Sequence, residues 1–344
     1  MSARHMHTLP NEILSHIFLQ YLPAYPLCPP LYGPESPSFL MTVCRHWQAI
    51  ALQTPELWRA IEVGSAWRRR LAPPSLLPTI ETWLVRSASC MLSVNLPDDP
   101  SLYPATVLRA LLAHSSRMEY LFCTVDNDQV AIYLGPALPH LRELSIGGWK
   151  GWNDPLVVKM KPSSAPLLHT LFLFEVDLVA SNFPWAQLTT LTLVGSPESA
   201  YLQVLRQTPR LIHCRLSVVS GEDPTAAPPT SRIILPHLRT LAVHHDDHDP
   251  NRDYLLDALT TPALRRLQLR APILGEDPIQ NLRVFIAHCG CKLDVLRVLP
   301  ASSRGVQVDN VPIEEYSKAF PEIRVVMPRA EYWTPDDRWL NEDK

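Results

Sequence analysis

The feature that most constrains the fold is a spacing of leucines that recurs through much of the chain. Its unit is Leu-x-x-Leu-x-Leu, usually preceded by a proline, and clear copies begin at positions 141, 168, 188, 211, 238, 264 and 293. These starting positions lie 27, 20, 23, 27, 26 and 29 residues apart. Because successive side chains of a strand point to opposite faces, each copy predicts a short strand whose leucines face a core.

Helical patterns lie between several of these copies. Residues 200–207, 254–259 and 279–288 carry apolar side chains at helical spacing. A strand followed by a helix in each repeat predicts a curved α/β solenoid. The pattern resembles that of the leucine-rich-repeat family over most of residues 104–330. The family's asparagine or cysteine after each strand is absent, for example at Trp149 and Val176, so we expect irregular turns. Leucine-rich strands of a different α/β fold remain the alternative.

The beginning of the chain has a different, helical pattern. Apolar residues recur at one-turn intervals from Ile13 to Leu22, and Pro10 suits the first position of a helix, where its missing N–H is not needed. A second helical pattern runs from Phe39 to Ala51, and the sequence Pro-Glu-Leu-Trp follows at 55–58.

Three pieces of this region, taken in order, resemble the F-box, and most closely that of mushroom-type fungal proteins. They are Leu9-Pro10-x-Glu12-Ile13-Leu14-x-x-Ile17-Phe18, Val43-Cys44-Arg45-x-Trp47 and Pro55-x-Leu57-Trp58. The resemblance covers roughly the first 60 residues. It implies a small helical domain that binds an adaptor of the SKP family. The residues that it implies for this surface or its frame are Leu9, Pro10, Ile13, Leu14, Ile17, Val43 and Trp47. The sequence does not separate those that face the adaptor from those that form the domain's own core, and an ordinary helical hairpin is the alternative.

These patterns together predict an α/β protein, with a small all-helical F-box followed by an irregular leucine-rich-repeat solenoid. The predicted boundaries are 1–63 for the F-box, with a Pro-rich loop at 23–38, and 64–103 for a linker helix and first strand. The solenoid follows at 104–330. The acidic and aromatic residues 331–344 are expected to form a cap over the open end, with a detachable partner-binding peptide as the alternative.

Composition excludes several classes of function. A net charge of -3 gives no general reason to bind nucleic acid or membrane. Seven cysteines without framework spacing predict reduced thiols in the cytosol or nucleus. The run of His and Asp at 244–249 is interpreted as a solvated loop in preference to a metal site. Cys289-Gly290-Cys291 is interpreted as the end of a helix, because close zinc ligands are usually separated by two to four residues and here only one residue intervenes. We therefore expect no cofactor, no metal and no catalytic site.

The resemblance implies the substrate-recognition subunit of an SCF-type, cullin-RING ubiquitin ligase. An adaptor-bound scaffold with no role in ubiquitination is the alternative. A metal-dependent enzyme is a third hypothesis. Residues that alternate with the repeat leucines should point outward, and in the later repeats several of these outward residues are basic. The residues hypothesised to bind a protein substrate with an acidic or phosphorylated segment are Phe172, Phe174, Arg215, Arg266, Arg270 and Arg297. An ordinary solvated surface that happens to be basic is the alternative.

Overall fold

The computed structural model describes residues 9–63, 76–96, 105–126, 134–135, 137–148, 155–219, 232–245, 255–299, 301–303, 306–308 and 313–326. The chain divides into two compact units, Met1–Leu168 and His169–Lys344. The described main-sheet strands are parallel within each unit, four of them in the first unit and seven in the second.

Helices and strands alternate along much of the described chain. The helices are α1 (Asn11–Tyr21), α2 (Pro37–Leu40), α3 (Arg45–Leu52), α4 (Leu76–Arg86), α5 (Ala105–Leu112), α6 (Glu198–Leu205), α7 (Leu255–Ala258), α8 (Pro278–Cys289) and α9 (Ile313–Ala319). The main-sheet strands are β1 (Ala60–Glu62), β2 (Leu92–Asn95), β3 (Met118–Val125), β4 (Glu143–Gly148), β5 (Thr170–Phe174), β6 (Thr190–Ser196), β7 (His213–Val218), β9 (Thr240–His245), β11 (Arg266–Arg270), β12 (Val295–Leu299) and β15 (Arg324–Val326). The remaining strands are β8 (Ile233–Ile234), β10 (Leu259–Thr260), β13 (Ala301–Ser303) and β14 (Val306–Val308).

In the first unit, strands β1 to β4 pair in parallel in the order of the chain. Their register places one row of apolar side chains side by side, namely Ile61, Val94, Leu121 and Leu144. All four are at most 1% exposed. Helix α4 packs against α5 and against the 3-10 turn at 55–58. The apolar positions of the sheet therefore form the core that the alternating pattern predicts.

The second unit repeats this arrangement over seven parallel strands, again in chain order. One continuous row consists of Leu171, Leu191, Cys214, Leu241, Leu267, Leu296 and Val325. The first six of these side chains are at most 1% exposed. Since the strand order never reverses within either unit's described strands, neither contains the switch point at which doubly wound sheets bind their ligands.

The predicted fold class, a small all-helical F-box followed by a repeat solenoid, is wrong. Among its described residues the protein is an α/β fold with nine helices and parallel sheet strands, four of these strands in the first unit and seven in the second. Residues 1–63 are not all helical, because Ala60–Glu62 forms β1 and pairs with β2. About 50 residues in short helices cannot bury so many large side chains alone, and the chain joins its first helices to a sheet instead. A helix does not follow every strand either, since only a 3-10 turn at 185–187 appears between β5 and β6.

The Pro-rich segment at 23–38 packs against the sheet of the first unit. The Ser93 hydroxyl donates a hydrogen bond to the Pro26 carbonyl at 2.7 Å, and the Tyr25 hydroxyl donates to Glu119 Oε2 at 2.9 Å. Pro30 forms an isolated parallel bridge with Glu62 of the edge strand β1. Proline without an N–H suits such an edge position. The segment therefore covers an edge that would otherwise be open to pairing.

Trp58 joins the N-terminal helices to the rest of the first unit. Its indole is fully buried, and Nε1 donates to the Ala51 carbonyl at 2.9 Å. The ring of Trp83 on α4 meets it edge-on, with centroids 5.4 Å apart. The Arg86 guanidinium lies 4.4 Å from the Trp58 ring centroid. One side chain thus fixes α3, the 3-10 turn and α4 together.

We predict that the isolated fragment 1–63 does not fold cooperatively. Cutting the chain there removes β2, the parallel partner of β1, and Trp83, the aromatic partner of Trp58. Circular dichroism during heating should show a broad, shallow change for the fragment and a cooperative transition for the full chain. A sharp transition of the fragment alone would contradict the joint packing of helices and sheet.

Candidate protein-binding surfaces

Helix α1 carries large apolar side chains on its solvent-facing side. We call the row of Leu9, Ile13, Ile17 and Tyr21 the N-terminal apolar stripe. Their side chains are 37%, 49%, 45% and 46% exposed. Residues four apart are neighbours on one side of a helix, and Leu9 continues the row just before the first turn. Apolar side chains gathered in this way mark a candidate interaction surface.

The opposite side of α1 holds the helix in place. Leu14 and Phe18 are each 1% exposed, and the ring of Phe18 lies 4.8 Å from that of Trp47 on α3. The Pro10 carbonyl accepts hydrogen bonds from the backbone N–H groups of Ile13 and Leu14 at 3.1 Å. The helix therefore presents one apolar side to α3 and a second to solvent.

Helix α2 and the turn after it expose a further apolar pair. Val43 is 50% exposed and Phe39 is 44% exposed. The Ser36 hydroxyl accepts a hydrogen bond from Ser38 N at 3.1 Å and starts α2, and Cys44 Sγ accepts one from Trp47 N at 3.4 Å and starts α3. Two capped helix starts therefore fix the short segment between them.

The residues predicted for the adaptor surface fall into two groups. Leu9, Pro10, Ile13, Ile17 and Val43 are exposed. Leu14 is buried, and Trp47 is half-buried against Phe18. These last two therefore form the support of the surface, a division that the sequence could not make.

Four exposed apolar residues among 9–63 were not in the predicted adaptor set. They are Tyr21, Leu27, Phe39 and Leu52. Tyr21 continues the four-residue spacing from Leu9, which is the signal that could have identified it. Its hydroxyl donates a hydrogen bond to the Pro34 carbonyl, so the ring is held in place while much of it faces solvent.

The second unit carries polar side chains on the other face of its sheet, and several of them, including Thr192, Arg215 and Gln268, are buried rather than solvated. We call the side chains that alternate with the buried leucines of β6, β7, β9, β11 and β12 the polar sheet face. Strand register places Thr192, Arg215, Ala242, Gln268 and Arg297 in one row across this face. The predicted columns of outward positions are therefore adjacent in space.

The six residues hypothesised to bind a substrate differ in accessibility. Phe174 is 39% exposed, whereas Arg215 is only 1% exposed. Phe172, Arg266, Arg270 and Arg297 are half-buried. A partner can therefore reach the half-buried residues and Phe174, while the Arg215 side chain lies inside the protein.

His244 lies on the polar sheet face and is held neutral. It is 8% exposed, and its Nε2 lies 2.8 Å from Gln268 Nε2. Burial, together with the nearby charges of Arg270 and Arg215, lowers the pKa of His244 from its usual 6.5 to about 3. A neutral ring can accept the amide proton of Gln268 at Nε2.

We predict that His244 makes the protein less stable as the pH falls below 6.5. The unfolded chain takes up a proton near pH 6.5, whereas the folded chain does so only near pH 3, so acid favours unfolding across that interval. Urea unfolding between pH 7 and 5 should show a loss of stability that His244→Gln reduces. Equal slopes for wild type and variant would contradict this.

The residues considered for metal binding do not form a cluster in the described part of the chain, where no group of three His, Cys, Asp or Glu side chains could hold a metal. Residues 246–249 of the His and Asp run lie outside the described residues. Cys289 ends α8, and Gly290 follows in the left-handed conformation with φ 62°, which favours glycine. Cys289 and Cys291 therefore flank a helix end, as predicted.

Among the described helices, none has the length and apolar character needed to cross a membrane. The predicted cap at 331–344 lies outside the described residues.

Comparison with known proteins gives no family for this chain. No protein-family model matches the sequence, and no curated protein matches it either. The functional argument therefore depends on the surfaces described above and on the N-terminal resemblance.

Proposed function

We propose that this chain is the substrate-recognition subunit of an SCF-type, cullin-RING ubiquitin ligase. In this proposal the N-terminal apolar stripe and Val43 bind a SKP-family adaptor, which connects the chain to a cullin. The half-buried part of the polar sheet face binds a protein substrate. The observation that carries the proposal is the exposure of Leu9, Ile13 and Ile17 on a helix whose opposite side is already buried.

The exposed stripe offers enough energy for a specific complex. Burying a whole Leu or Ile side chain contributes about 1.5–3 kcal/mol, and each of these side chains still exposes between a third and half of its surface. Each should therefore contribute about 1 kcal/mol when a partner covers it. Together with Tyr21 and Val43, the stripe can supply several of the roughly 8 kcal/mol that a micromolar complex requires.

The chain positions its target and does no chemistry itself. In this proposal it needs no cofactor or metal, binds neither nucleic acid nor membrane, and works in the cytosol, the nucleus or both. The half-buried arginines suit carboxylate or phosphate groups on the substrate. Phe174 supplies an apolar contact at the other end of the face.

Reconstitution distinguishes this function from a scaffold that binds the adaptor without ubiquitination. The full chain would be combined with the adaptor, a cullin-RING core and the proteins that it captures from cells. We expect a stable complex and transfer of ubiquitin to at least one captured protein. A stable complex without transfer would favour the scaffold, and no complex would contradict both.

A further inference from the structure

The polar sheet face of the second unit is positively charged. Its positions on β6, β7, β9, β11 and β12 include no aspartate or glutamate, and its arginines are Arg215, Arg266, Arg270 and Arg297. Burial, together with the charges of Arg270 and Arg215, lowers the pKa of the neighbouring His244, so two guanidinium groups act on one small region. A guanidinium group removed from water is costly unless a negative group compensates it. The face is therefore suited to a segment that brings carboxylates.

The chain itself contains such a segment, residues 331–344, which we call the acidic segment. It lies outside the described residues. Its first half, Glu331-Tyr332-Trp333-Thr334-Pro335-Asp336-Asp337, carries three carboxylates and no basic side chain. Carboxylates accept paired hydrogen bonds from arginine, and aromatic rings stack on guanidinium groups. Both kinds of side chain in this segment therefore suit an arginine-rich surface.

Strand β15 brings the chain to the polar sheet face just before this segment. Val326, where the described residues end, is the parallel partner of Arg297, and Arg297 is the partner of Gln268. The same register continues through Ala242 to Arg215. Because side chains of paired residues lie on the same face of a sheet, Val326 stands in the row that contains these two arginines. The chain therefore leaves β15 beside the arginines.

The length of chain after Val326 is sufficient to cross the face. Four strand spacings separate β15 from β7, a distance of roughly 19 Å. Eleven residues lead from Val326 to Asp337, and they span up to about 36 Å when extended. Glu331 follows Val326 by five residues and can lie up to about 16 Å from it, which is beyond both β12 and β11. The carboxylates can therefore reach Arg297 and Arg270.

We propose that the acidic segment binds the polar sheet face of its own chain, where its carboxylates pair with Arg270 and Arg297. Bound there, it occupies the surface that a substrate needs, and a substrate binds only by displacing it. This competition depends on the proposed function, whereas the contact itself follows from charge, register and chain length. The placement differs from a cap over the open end of the sheet, since a cap would cover the edge of β15 and leave the arginines accessible.

The test measures binding of a fluorescent peptide with the sequence of residues 331–344 to the full chain. The wild type should bind this peptide weakly, because its own acidic segment is tethered at an effective concentration on the order of millimolar. A variant whose segment carries amides in place of the carboxylates should free the face and bind the peptide at least tenfold more tightly. Its substitutions are Glu331→Gln, Asp336→Asn and Asp337→Asn, and they change no residue of the sheet.

Matched controls separate this contact from a general effect of charge. Glu81→Gln, Glu276→Gln and Glu322→Gln together remove three exposed carboxylates elsewhere, and this chain should bind the peptide as weakly as the wild type. In the amide variant, Arg270→Gln with Arg297→Gln should remove the gain in affinity. Arg206→Gln with Arg210→Gln, which removes two exposed arginines outside the polar sheet face, should keep it.

Equal peptide affinity of the wild type and the amide variant would overturn the proposal, since it would show that the wild-type face is not occupied by the segment. A gain that survives the change of Arg270 and Arg297 would overturn the site. Light scattering that shows dimers of the wild type but not of the amide variant would overturn the intramolecular contact. Adaptor binding should be unchanged in all variants. A failed adaptor complex would refute the proposed function and leave the peptide result standing.

Discussion

Replacing Ile13 and Ile17 with aspartate is expected to abolish adaptor binding without changing the stability of the chain. Both side chains are nearly half exposed, so carboxylates are tolerated in the free protein. In the complex they would lose the apolar contact and leave two charges desolvated. We expect a loss of affinity of at least about 100-fold, or roughly 3 kcal/mol, measured by calorimetric titration with purified adaptor.

A matched control comes from the same unit. Val85 on α4 is 79% exposed, and Val85→Asp adds the same kind of charge away from the stripe. Its adaptor affinity should equal that of the wild type. Leu14→Ala should behave differently from both, because the buried side chain supports the helix and its removal costs about 2–5 kcal/mol of stability. Normal affinity in the Ile13 and Ile17 variant would rule out the stripe as the adaptor surface.

Trp58→Ala is expected to lower the free energy of unfolding by about 3–5 kcal/mol, the range for removing a large buried aromatic side chain. The variant loses the contact with Trp83 and the hydrogen bond to the Ala51 carbonyl. Because these partners belong to α4 and α3, the helices and the sheet of the first unit should become unstable together. Urea unfolding followed by circular dichroism measures the loss.

Trp58→Phe is the informative comparison. It keeps an aromatic ring beside Trp83, so we expect a smaller loss of unfolding free energy than for alanine. The loss that remains comes from the Ala51 carbonyl, which no longer accepts a hydrogen bond from Nε1, and from the smaller ring. A Trp58→Ala variant as stable as the wild type would show that the N-terminal helices are not fixed through this residue.

The strands were the most predictable part of the fold. The alternation of side chains between the two faces of a strand is a clear signal in Leu-x-x-Leu-x-Leu. The strand at Glu143–Gly148 lies where the copy of this repeat that begins at Leu141 predicts one. Strand β1 was missed because three residues are too few for a pattern. The packing of the Pro-rich segment was also missed, since the bond between Pro26 and Ser93 joins residues 67 apart. Only tertiary structure brings such groups together.

The candidate surfaces were predictable in position but not in exposure. Helical spacing identifies both Ile13 and Leu14 as apolar positions, and only the packing of α1 on α3 shows that Leu14 is buried. Alternation likewise places Arg215 on the polar sheet face but does not show that its side chain is buried. The row that contains Arg215, Ala242 and Gln268 depends on register between strands, which brings residues from separate repeats side by side.

Hydrogen–deuterium exchange of the unmodified chain, with and without the adaptor, tests the central claim most directly. We predict slower exchange in peptides covering 9–22 and 39–44 when the adaptor is added, with unchanged exchange in the peptide covering α4. The backbone of α1 is already hydrogen-bonded, and a covering partner should slow its local opening further. Binding of the adaptor with no change in those two peptides, or with protection confined to the second unit, would contradict the proposed role of the N-terminal apolar stripe.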